Sequence, residues 1–593
     1  MRSWMGPILH TKESPPGMAA GPGTGSTAVG AWWFSPIRTP KPEPMIKSIL
    51  RQRTVYKIPC IGIRCAGAEV SNGQHQFLET FRLTHRVQHH RTKPRSVQKA
   101  NSYQYQSMKL TLLPLIRSHF SSLLSPLFLI PIFLSSSVVA AEVAHTPPNI
   151  IIILIDDMGY ADIGPFGATK QRTPQLDRMA QEGMKLTSFY AAPVCSVSRA
   201  QVMTGCYGVR VSVPGVFFPA GKNGLNPSEV TVAERLKERG YATMCIGKWH
   251  LGDQLEFLPT RQGFDHYLGL PYSNDMQRKA KDGTQTVPLI RDEQVEALLS
   301  NEQQSTLVQR YTDEAISFIK AHQQKPFFLY LPHTAIHTPI HPSAEFSGKS
   351  ANGSVGDWIE ELDASTGRIL ETLRELKLSK KTLVIFTSDN GPWLSQGKNS
   401  GSALPLRGGK GSTWEGGMRE PTIAWWPGRI AAGKVCDIVA GTIDLLPTCV
   451  ALAGGQLPAE PVIDGKDISP LLFGTATQAT REAHYYFSGS ALQAVRQGPW
   501  KLAIVPQNEA MGAKVPADAS GTNPRLYDLD HDIGERTDVA DKHPDIVERL
   551  QALAKRMDAE LGSKGTARRP AGVATNPKLL YPVEEKAKDK AKK

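Results

Sequence analysis

The amino-acid sequence predicts an α/β fold, with a large, mostly parallel sheet sandwiched by helices and a smaller C-terminal α+β domain that carries an antiparallel sheet. Three observations predict this architecture. Short continuous apolar runs recur from residue 148 onwards, segments of helical periodicity separate them, and the pattern changes after about residue 475. The 593-residue chain is long enough for two or three domains.

Four apolar runs are the predicted strands of the large sheet. The first of them is dominated by β-branched residues, as a strand buried on both faces should be. The runs are NIIIILI (149–155), ATMCIG (242–247), PFFLYL (326–331) and TLVIFTS (382–388).

Two segments between these runs are predicted helices. One covers residues 228–240, with Ser228 as N-cap and Gly240 as C-cap, and the other covers residues 357–376. The alternation of strand and helix predicts a parallel sheet in one domain over residues 148–475.

The predicted C-terminal domain covers residues 476–562. Residues 484–504 are expected to form two short strands around a turn, and RLYDLD (525–530) a further strand. Residues 543–561 show the spacing of a helix.

The two ends of the chain carry much of its charge. The net charge is +13, and most of the excess lies in residues 1–107, so it does not form a nucleic-acid-binding face. These residues are expected either to precede the true start of translation (an over-called start) or to form a disordered leader. Residues 108–140 have the layout of a secretory signal peptide, and their apolar core is too short to span a membrane stably. Residues 563–593 form a basic tail.

The signal peptide predicts an exported protein, periplasmic or secreted in a bacterium and lysosomal or secretory in a eukaryote. Of the seven cysteines, two lie in the doubtful leader. The remaining five are too few for a disulfide scaffold and leave at least one unpaired, and their pairing stays open.

Each predicted strand is followed by polar or ionisable side chains. In open parallel sheets ligands bind beyond the carboxyl ends of the strands, so these side chains should meet at one edge. One such pair alone is ordinary turn chemistry, but four together predict a polar cleft. The side chains are Asp156 and Asp157, Lys248 and His250, His333 and His337, and Asp389 and Asn390.

Four of these side chains offer hard oxygen ligands, namely Asp156, Asp157, Asp389 and Asn390. Calcium takes about 6–8 oxygen ligands, whereas zinc favours histidine and cysteine. The sequence therefore predicts a calcium site, with magnesium as the second choice.

A further cluster lies in PVCSVSRAQVMTG (193–205). A short helix that begins near Cys195 would place Cys195 and Arg199 on one face, because they are four residues apart. The free N–H groups of the helix start and the guanidinium would then form an anion pocket beside a nucleophile. The alternative for Cys195 is a small core residue.

Several of these segments resemble the type I, formylglycine-dependent sulfatases of the alkaline phosphatase superfamily. CSVSR resembles the family signature C-x-P/A-x-R, and GLPYSND (269–275) is most similar to the arylsulfatase A and N-acetylgalactosamine-6-sulfatase branch. The other matching segments are IIILIDDMGYADIG, TPQLDRMAQEGMKLTSFYA, GKWHLG, FTSDNGP, LRGGKGSTWEGGMREPTIAWWPG and RLYDLDHDIGERTDVA. The resemblance implies an alkaline-phosphatase-like fold and hydrolysis of aryl or carbohydrate sulfate esters.

The resemblance also implies a cofactor set. Cys195 would be oxidised to formylglycine by a formylglycine-generating enzyme, and one hydroxyl of its hydrate would attack sulfur while the other later releases sulfate. One calcium ion would be bound by the four oxygen ligands and by residue 195 itself. The sequence departs from the signature at Val197, where the family has proline or alanine, in the segment that the modifying enzyme reads.

Further roles follow from the resemblance one residue at a time. Arg199 would steady the nucleophile, and Lys248 and Lys410 would hold sulfate oxygens. Ser273 is a candidate for contact with the substrate.

Two histidines complete the implied set. His250 would assist the second hydroxyl, and His337 would protonate the leaving group. His333 and His341 compete for the latter role, and the spacing to Pro339 favours His337.

Two other functions stay open. One is a phosphate or phosphonate ester hydrolase of the same superfamily, although ligands for a single metal favour sulfate. The other is a non-catalytic binder of sulfated glycans, should Cys195 escape conversion. The expected partners are a sulfated small molecule or glycan and the formylglycine-generating enzyme, with no nucleic acid. The natural substrate and the oligomeric state are not predicted.

Overall fold

The structure is a computed structural model that describes residues 147–280, 282–512 and 524–581. The predicted leader, the signal peptide and the last residues of the predicted basic tail lie outside the described residues.

The strands alternate with helices along most of the chain. In chain order the strands are β1 (Asn149–Ile155), β2 (Met184–Tyr190), β3 (Asn223–Gly224), β4 (Ala242–Ile246), β5 (His266–Gly269), β6 (Arg278–Lys279), β7 (Gln285–Arg291), β8 (Gln294–Leu299), β9 (Phe327–Pro332), β10 (Thr382–Ser388), β11 (Arg419–Trp425), β12 (Lys434–Cys436), β13 (Ala440–Gly441), β14 (His484–Ser488), β15 (Ala491–Gln497), β16 (Trp500–Ala503), β17 (Arg525–Asp528) and β18 (Gly572–Val573).

The α-helices vary in length from one turn to more than six. In chain order they are α1 (Pro174–Glu182), α2 (Cys195–Thr204), α3 (Val232–Lys237), α4 (Asn301–Gln304), α5 (Leu307–Ala321), α6 (Gly353–Glu375), α7 (Glu415–Met418), α8 (Leu445–Leu452), α9 (Ser469–Leu472) and α10 (Pro544–Leu561).

The large sheet is mixed and dominated at its centre by parallel strands, which confirms the predicted fold class. Its strand order is β12-β2-β11-β10-β1-β9-β4-β5-β7-β6, and β1 pairs in parallel with both β10 and β9. The antiparallel pairs lie towards the two sides, for example β10 with β11 and β5 with β7. The four predicted strands are therefore adjacent, because β4 also pairs in parallel with β9.

The central strand β1 explains why its sequence is continuously apolar. Ile150, Ile152 and Leu154 belong to the hydrophobic core on one face of the sheet. Ile151, Ile153 and Ile155 belong to the core on the opposite face. Side chains alternate along a strand, so a strand that is covered on both faces needs an apolar residue at every position.

The helix predicted over residues 228–240 is shorter in the structure, and the predicted N-cap Ser228 is wrong. Helix α3 begins after Thr231, whose hydroxyl accepts a hydrogen bond from the Glu234 N–H while the Glu234 carboxylate accepts one from the Thr231 N–H. This reciprocal capping box satisfies two free N–H groups and fixes the start of the helix. Ser228 donates its hydroxyl hydrogen to Asn226 instead.

The C-terminal region forms a four-stranded antiparallel sheet with order β14-β15-β16-β17. The prediction of two strands over residues 484–504 is wrong, since the segment holds three, with a second turn at Gly498. Helix α10 packs on this sheet through Ile546, Leu550 and Leu553.

A buried lysine connects this second sheet to the large one. Lys501 on β16 donates to the Thr413 carbonyl at 2.8 Å and forms an ion pair with Glu415 at 3.0 Å. Glu535 lies 2.7 Å from the same Lys501 Nζ. The C-terminal sheet thereby holds the loop that precedes α7 and that carries Lys410.

Two further features bear on the predictions about the chain. Within the described ranges, no helix is long and apolar enough to span a membrane. The cysteines of these ranges are all buried and unpaired; they are Cys195, Cys206, Cys245, Cys436 and Cys449.

Candidate active site

The candidate site lies at the carboxyl edge of the large sheet, where β10, β1, β9 and β4 stand side by side. Each strand ends in a segment that carries predicted site residues, and the parallel pairing brings these ends together. Almost all of the predicted side chains are buried in one cluster at this edge. The cluster contains Asp156, Asp157, Cys195, Arg199, Lys248, His250, Ser273, His337, Asp389, Asn390 and Lys410.

Two acidic side chains of this cluster are each paired with one lysine. Lys248 Nζ lies 2.5 Å from Asp156 Oδ2. Lys410 Nζ lies 2.6 Å from Asp157 Oδ1, which also accepts a hydrogen bond from Asn390 Nδ2 at 2.7 Å. Two buried carboxylates are thus neutralised by ammonium groups, as buried charges must be.

Three oxygens of the same cluster have no hydrogen-bond partner among the described residues, namely Asp156 Oδ1, Asp157 Oδ2 and Asn390 Oδ1. Buried polar atoms are nearly always paired, so three unpaired oxygens in one place require an explanation. Burial, with a smaller contribution from the nearby charge of Asp156, raises the pKa of Asp389 to about 6. A hard divalent cation would satisfy the free oxygens, so the residues fit calcium or magnesium.

Cys195 is the first residue of α2 and lies against this acidic cluster. Its Sγ and carboxylate oxygens of Asp156 and Asp389 all lie within 4.8 Å of one another. Burial raises the pKa of the Cys195 thiol, so the side chain is a protonated thiol near neutral pH.

His250 is the hydrogen-bond partner of Cys195. Its Nδ1 lies 3.3 Å from Sγ, and its Nε2 lies 2.9 Å from the Phe217 carbonyl oxygen. Burial and the positive charges of Lys248 and Arg199 lower the pKa of His250 well below its usual range, so the imidazole is neutral. Because the carbonyl can only accept, Nε2 carries the proton and Nδ1 presents its lone pair to residue 195.

Arg199 lies one helical turn after Cys195 and is buried. Its guanidinium donates to Asp389 Oδ2 from Nε at 3.0 Å and from Nη2 at 2.7 Å, and Nη1 donates to the Lys248 carbonyl. The start of α2 is thereby fixed against the ends of β10 and β4.

His337 follows β9 and faces the acidic cluster from the other side. Its Nδ1 lies 2.6 Å from the Thr338 carbonyl oxygen, and its Nε2 lies 3.7 Å from Asp157 Oδ2. Ser273 connects this histidine to Lys248, since its Oγ accepts from Nζ at 3.1 Å and lies 3.5 Å from the imidazole. Burial and the charge of Lys410 lower the pKa of His337.

The two competing histidines have other neighbours. His333 is buried, and its ring packs against Tyr311 with centroids 6.1 Å apart. His341 packs against Trp358 with ring centroids 6.3 Å apart. Of the three, His337 is the one that contacts both Ser273 and Asp157.

Comparison with known proteins assigns the chain to a family. Residues 148–455 match the family model described as Sulfatase, and residues 479–581 match the C-terminal region of aryl-sulfatase. The chain belongs to the sulfatase family. The predicted resemblance is confirmed, and this sulfatase is a sulfuric ester hydrolase of the arylsulfatase-like kind.

The relatives of this sulfatase include mammalian and bacterial enzymes. It is 40% identical to the N-acetylgalactosamine-6-sulfatase of Canis lupus familiaris over 393 residues, which cover 62% of this chain and 74% of that protein. It is 38% identical to the arylsulfatase A of Homo sapiens over 453 residues, 70% of this chain and 89% of that protein. The crystal structure of the PsFucS1 sulfatase from Pseudoalteromonas sp. superposes with a TM-score of 0.66 at 30% identity, covering 72% of this chain and 92% of that one.

Two side chains that sequence reasoning missed flank His337 in this sulfatase. The Trp393 ring centroid lies 5.6 Å from that of the imidazole, and Asp275 Oδ1 lies 4.0 Å from Nδ1. Both stand next to recognised segments, since Trp393 follows FTSDNGP and Asp275 ends GLPYSND. The sequence therefore places both residues at motif segments, but it does not predict that both lie beside the same histidine.

Proposed function

We propose that this sulfatase hydrolyses its ester with a formylglycine formed from Cys195 and with one calcium ion bound beside it. The observation that carries the proposal is the position of Cys195 at the start of α2, against the carboxylates of Asp156 and Asp389. A nucleophile and a hard-cation site are thus adjacent at the edge where parallel sheets bind ligands.

The calcium ligands in this proposal are Asp156, Asp157, Asp389 and Asn390, together with the modified residue 195. When bound, the ion would neutralise charge on the sulfate group and acidify a hydroxyl next to it. The free oxygens of Asp156, Asp157 and Asn390 support this ligand set.

The unmodified thiol is poorly suited to the reaction. Its pKa is raised by burial, and transfer of the sulfuryl group to it, with release of the alcohol, would leave a stable S-sulfo adduct. Formylglycine hydrate supplies two hydroxyls on one carbon, one to attack the sulfate ester and one to release sulfate. His250 presents a lone pair at Nδ1 to residue 195, so it can take the proton of the second hydroxyl.

Lys248 and Lys410 are proposed to bind sulfate oxygens. Each ammonium group already lies next to a carboxylate of the metal site, at 2.5 Å and 2.6 Å, so a sulfate that reaches the ion meets both. Arg199 holds Asp389 and the start of α2 in place, which keeps the nucleophile aligned with its target.

His337 is proposed to protonate the leaving alcohol. Its Nδ1 is held by the Thr338 carbonyl, so Nε2 is directed towards the site. An imidazole that gains a proton as the substrate's negative charge enters would then deliver it to the departing oxygen.

Export, maturation by a formylglycine-generating enzyme and a catalytic domain over residues 148–475, with a second domain over 476–562, belong to the same proposal. Val197 is the residue at which the sequence departs from the signature that the modifying enzyme reads. Its side chain is buried in the first turn of α2 and contacts the segment at Gly208.

The experiment compares 4-nitrophenyl sulfate with 4-nitrophenyl phosphate as substrates of the exported protein. We expect turnover of the sulfate that disappears after calcium removal and returns with calcium, and no turnover by Cys195→Ala. A preference for the phosphate would indicate a phosphate ester hydrolase instead. Binding of sulfated sugars without turnover of any ester would indicate a glycan-binding protein.

A further inference from the structure

His250 has a backbone conformation that its surroundings must hold in place. Its φ is 59°, in the left-handed region that few residues other than glycine adopt. Such a conformation is unfavourable for a residue with a side chain and persists only where neighbouring contacts fix it. The proposed role of His250 requires that its Nδ1 points at residue 195, so these contacts also determine whether it can take a proton.

Residues 217–222, the Phe217 loop, contact His250 and the segment that follows it. The Phe217 carbonyl oxygen lies 2.9 Å from His250 Nε2. Three residues after His250, the Asp253 carboxylate oxygen Oδ2 accepts a hydrogen bond from the Ala220 N–H at 2.5 Å. The loop is thus attached to the histidine segment twice, once at the imidazole and once at Asp253.

The Asp253 carboxylate is held by a residue far along the chain. The hydroxyl of Tyr581, 328 residues later, donates to the same Oδ2 atom that accepts from Ala220. Tyr581 is buried, and its ring packs edge-on against Tyr272 with centroids 5.6 Å apart. Because Tyr272 directly precedes Ser273, Tyr581 links the Asp253 carboxylate to a second segment of the candidate site.

The end of the described chain is bound to the same loop. Residues 572–581, the tail strap, begin with β18, which pairs with β3 directly after the loop. The Ala574 N–H donates to the Lys222 carbonyl at 2.7 Å, and the Lys578 carbonyl accepts from the Leu255 N–H at 2.9 Å. These backbone hydrogen bonds fix the path of the tail strap and bring its last residue to the histidine segment.

From these contacts we propose that Tyr581 and Asp253 are positioning residues for His250. The Tyr581 hydroxyl holds the Asp253 carboxylate, which in turn holds the Phe217 loop. The Phe217 carbonyl accepts from His250 Nε2 and so directs Nδ1 at residue 195. The inference rests on the proposed function, because it takes Nδ1 to accept a proton from residue 195.

The position of this proton transfer in the reaction decides which rate the two residues control. After the alcohol has left, His250 Nδ1 takes the proton of the second hydroxyl of residue 195. The oxygen of that hydroxyl forms the carbonyl bond, and sulfate departs with the electron pair of the broken C–O bond. Substrate binding and loss of the alcohol precede this step. A misplaced imidazole therefore slows the release of sulfate and leaves the earlier steps unchanged.

The first test measures how firmly the Phe217 loop is held and does not depend on turnover. Hydrogen–deuterium exchange, measured by mass spectrometry, compares peptides that cover residues 217–222 in the wild-type protein and in Tyr581→Phe. Loss of one intramolecular hydrogen bond is expected to raise their exchange rate by roughly fivefold. Asp253→Ala, which removes the acceptor for both Tyr581 and Ala220, should raise it further.

The matched control is Tyr241→Phe. Tyr241 is also a buried tyrosine, and its hydroxyl donates to the Pro148 carbonyl at 2.7 Å, at the opposite end of β4 from Lys248. This variant loses a comparable hydrogen bond, so its free energy of unfolding should fall by a similar amount. Its exchange over residues 217–222 and its kinetic constants should stay within about twofold of wild type.

The second test separates positioning from a structural role. In Tyr581→Phe, kcat for 4-nitrophenyl sulfate should fall by roughly tenfold, a part of the about 10²–10⁴-fold that a general base contributes. KM should fall in proportion, so that kcat/KM stays within about twofold, and 4-nitrophenol should appear with an initial burst of about one per site. A loss of folded protein alone would lower kcat and leave KM unchanged.

Two results would overturn the inference. One is unchanged exchange over residues 217–222 in both Tyr581→Phe and Asp253→Ala. The other is a set of kinetic constants for Tyr581→Phe that either matches the wild type or shows equal losses in kcat and kcat/KM. The proposed function fails separately, when the wild-type protein carries an unmodified thiol at residue 195 and turns over no sulfate ester.

Discussion

Arg199 and Asp389 are joined by two hydrogen bonds, from Nε at 3.0 Å and from Nη2 at 2.7 Å, although 190 residues separate them in the chain. Both side chains are fully buried. The pair connects the helix that carries the proposed nucleophile to the strand end that carries the proposed metal ligands, so it sets the distance between the two parts of the site.

Replacing Arg199 by lysine should disconnect these parts while keeping the charge. A lysine cannot donate from two positions to one carboxylate, so Asp389 loses one hydrogen bond and the Lys248 carbonyl loses another. We expect kcat/KM for 4-nitrophenyl sulfate to fall by roughly 100-fold or more, as when one preorganised donor is removed.

The matched control is Arg172→Lys. Arg172 also donates from Nε and Nη2 to one carboxylate, that of Glu360, but its own side chain is exposed. This variant should keep kcat/KM within about twofold, because exposed ion pairs contribute little. Equal losses in the two variants would contradict a specific role for Arg199.

Calcium should stabilise the folded protein by binding to oxygens that otherwise lack partners. Calcium at about 100 times its Kd is expected to add roughly 2.7 kcal/mol to the free energy of unfolding of the metal-free protein. Differential scanning calorimetry with and without calcium measures the shift. Asn390→Ala, which removes one free oxygen, should reduce the shift, whereas Glu361→Gln, at a buried carboxyl of α6 outside the proposed ligand set, should not. An equal calcium-induced shift in the wild-type protein and in both variants would contradict the proposed calcium site.

His337→Ala should affect substrates according to their leaving groups. An alkyl alcohol needs a proton as it departs, whereas 4-nitrophenolate leaves readily without one. We expect kcat for an alkyl sulfate to fall by about 10²–10⁴-fold and kcat for 4-nitrophenyl sulfate to fall by less than about tenfold. His341→Ala is the control, since His341 contacts Trp358 instead, and it should lower neither rate. A loss of the same size on both esters would show that His337 is not the acid.

The stability of the protein should also depend on the ionisation of Glu361. This residue on α6 accepts a hydrogen bond from the Ser343 N–H at 2.9 Å, and burial, with a minor contribution from Glu345, raises its pKa to about 7 from 4.5. The native state thus binds this proton more tightly than the unfolded state. The resulting stability is complete below pH 4.5 and is lost as the pH rises through 7.

Glu361→Gln keeps the acceptor and cannot ionise. Its free energy of unfolding relative to wild type should therefore rise between about pH 5 and about pH 8, by up to about 3 kcal/mol for a shift of this size. Denaturant unfolding at several pH values measures it. The same substitution at the exposed Glu548 of α10 should give a flat difference. A flat difference for Glu361→Gln as well would mean that its carboxyl stays ionised in the folded protein.

Much of the large sheet was predictable from its sequence, because strands buried on both faces need apolar residues at every position. The run TLVIFTS is observed as β10 with the predicted bounds. Helix bounds were harder to predict, as Ser228 shows. Both Ser228 and Thr231 are good caps, and the choice depended on Glu234, which reaches back to the Thr231 N–H.

The residues of the candidate site also differ in how far the sequence predicts them. Residues directly after strands were predictable, because parallel pairing brings strand ends together whatever the loops do. Trp393 and Asp275 lie on loops whose paths are set by long-range contacts, such as the hydrogen bonds of Asn274 to the segment at His337. Lys501 was missed for a similar reason, since its partner Glu415 is 86 residues away.

The most direct test of the proposed function is the mass of the peptide that contains residue 195, taken from protein exported by its own host. We expect the mass of formylglycine or its hydrate in place of cysteine, despite Val197 in the signature. An unmodified thiol in protein that still hydrolyses 4-nitrophenyl sulfate would contradict a formylglycine nucleophile, and the nucleophile would have to be sought elsewhere in the site.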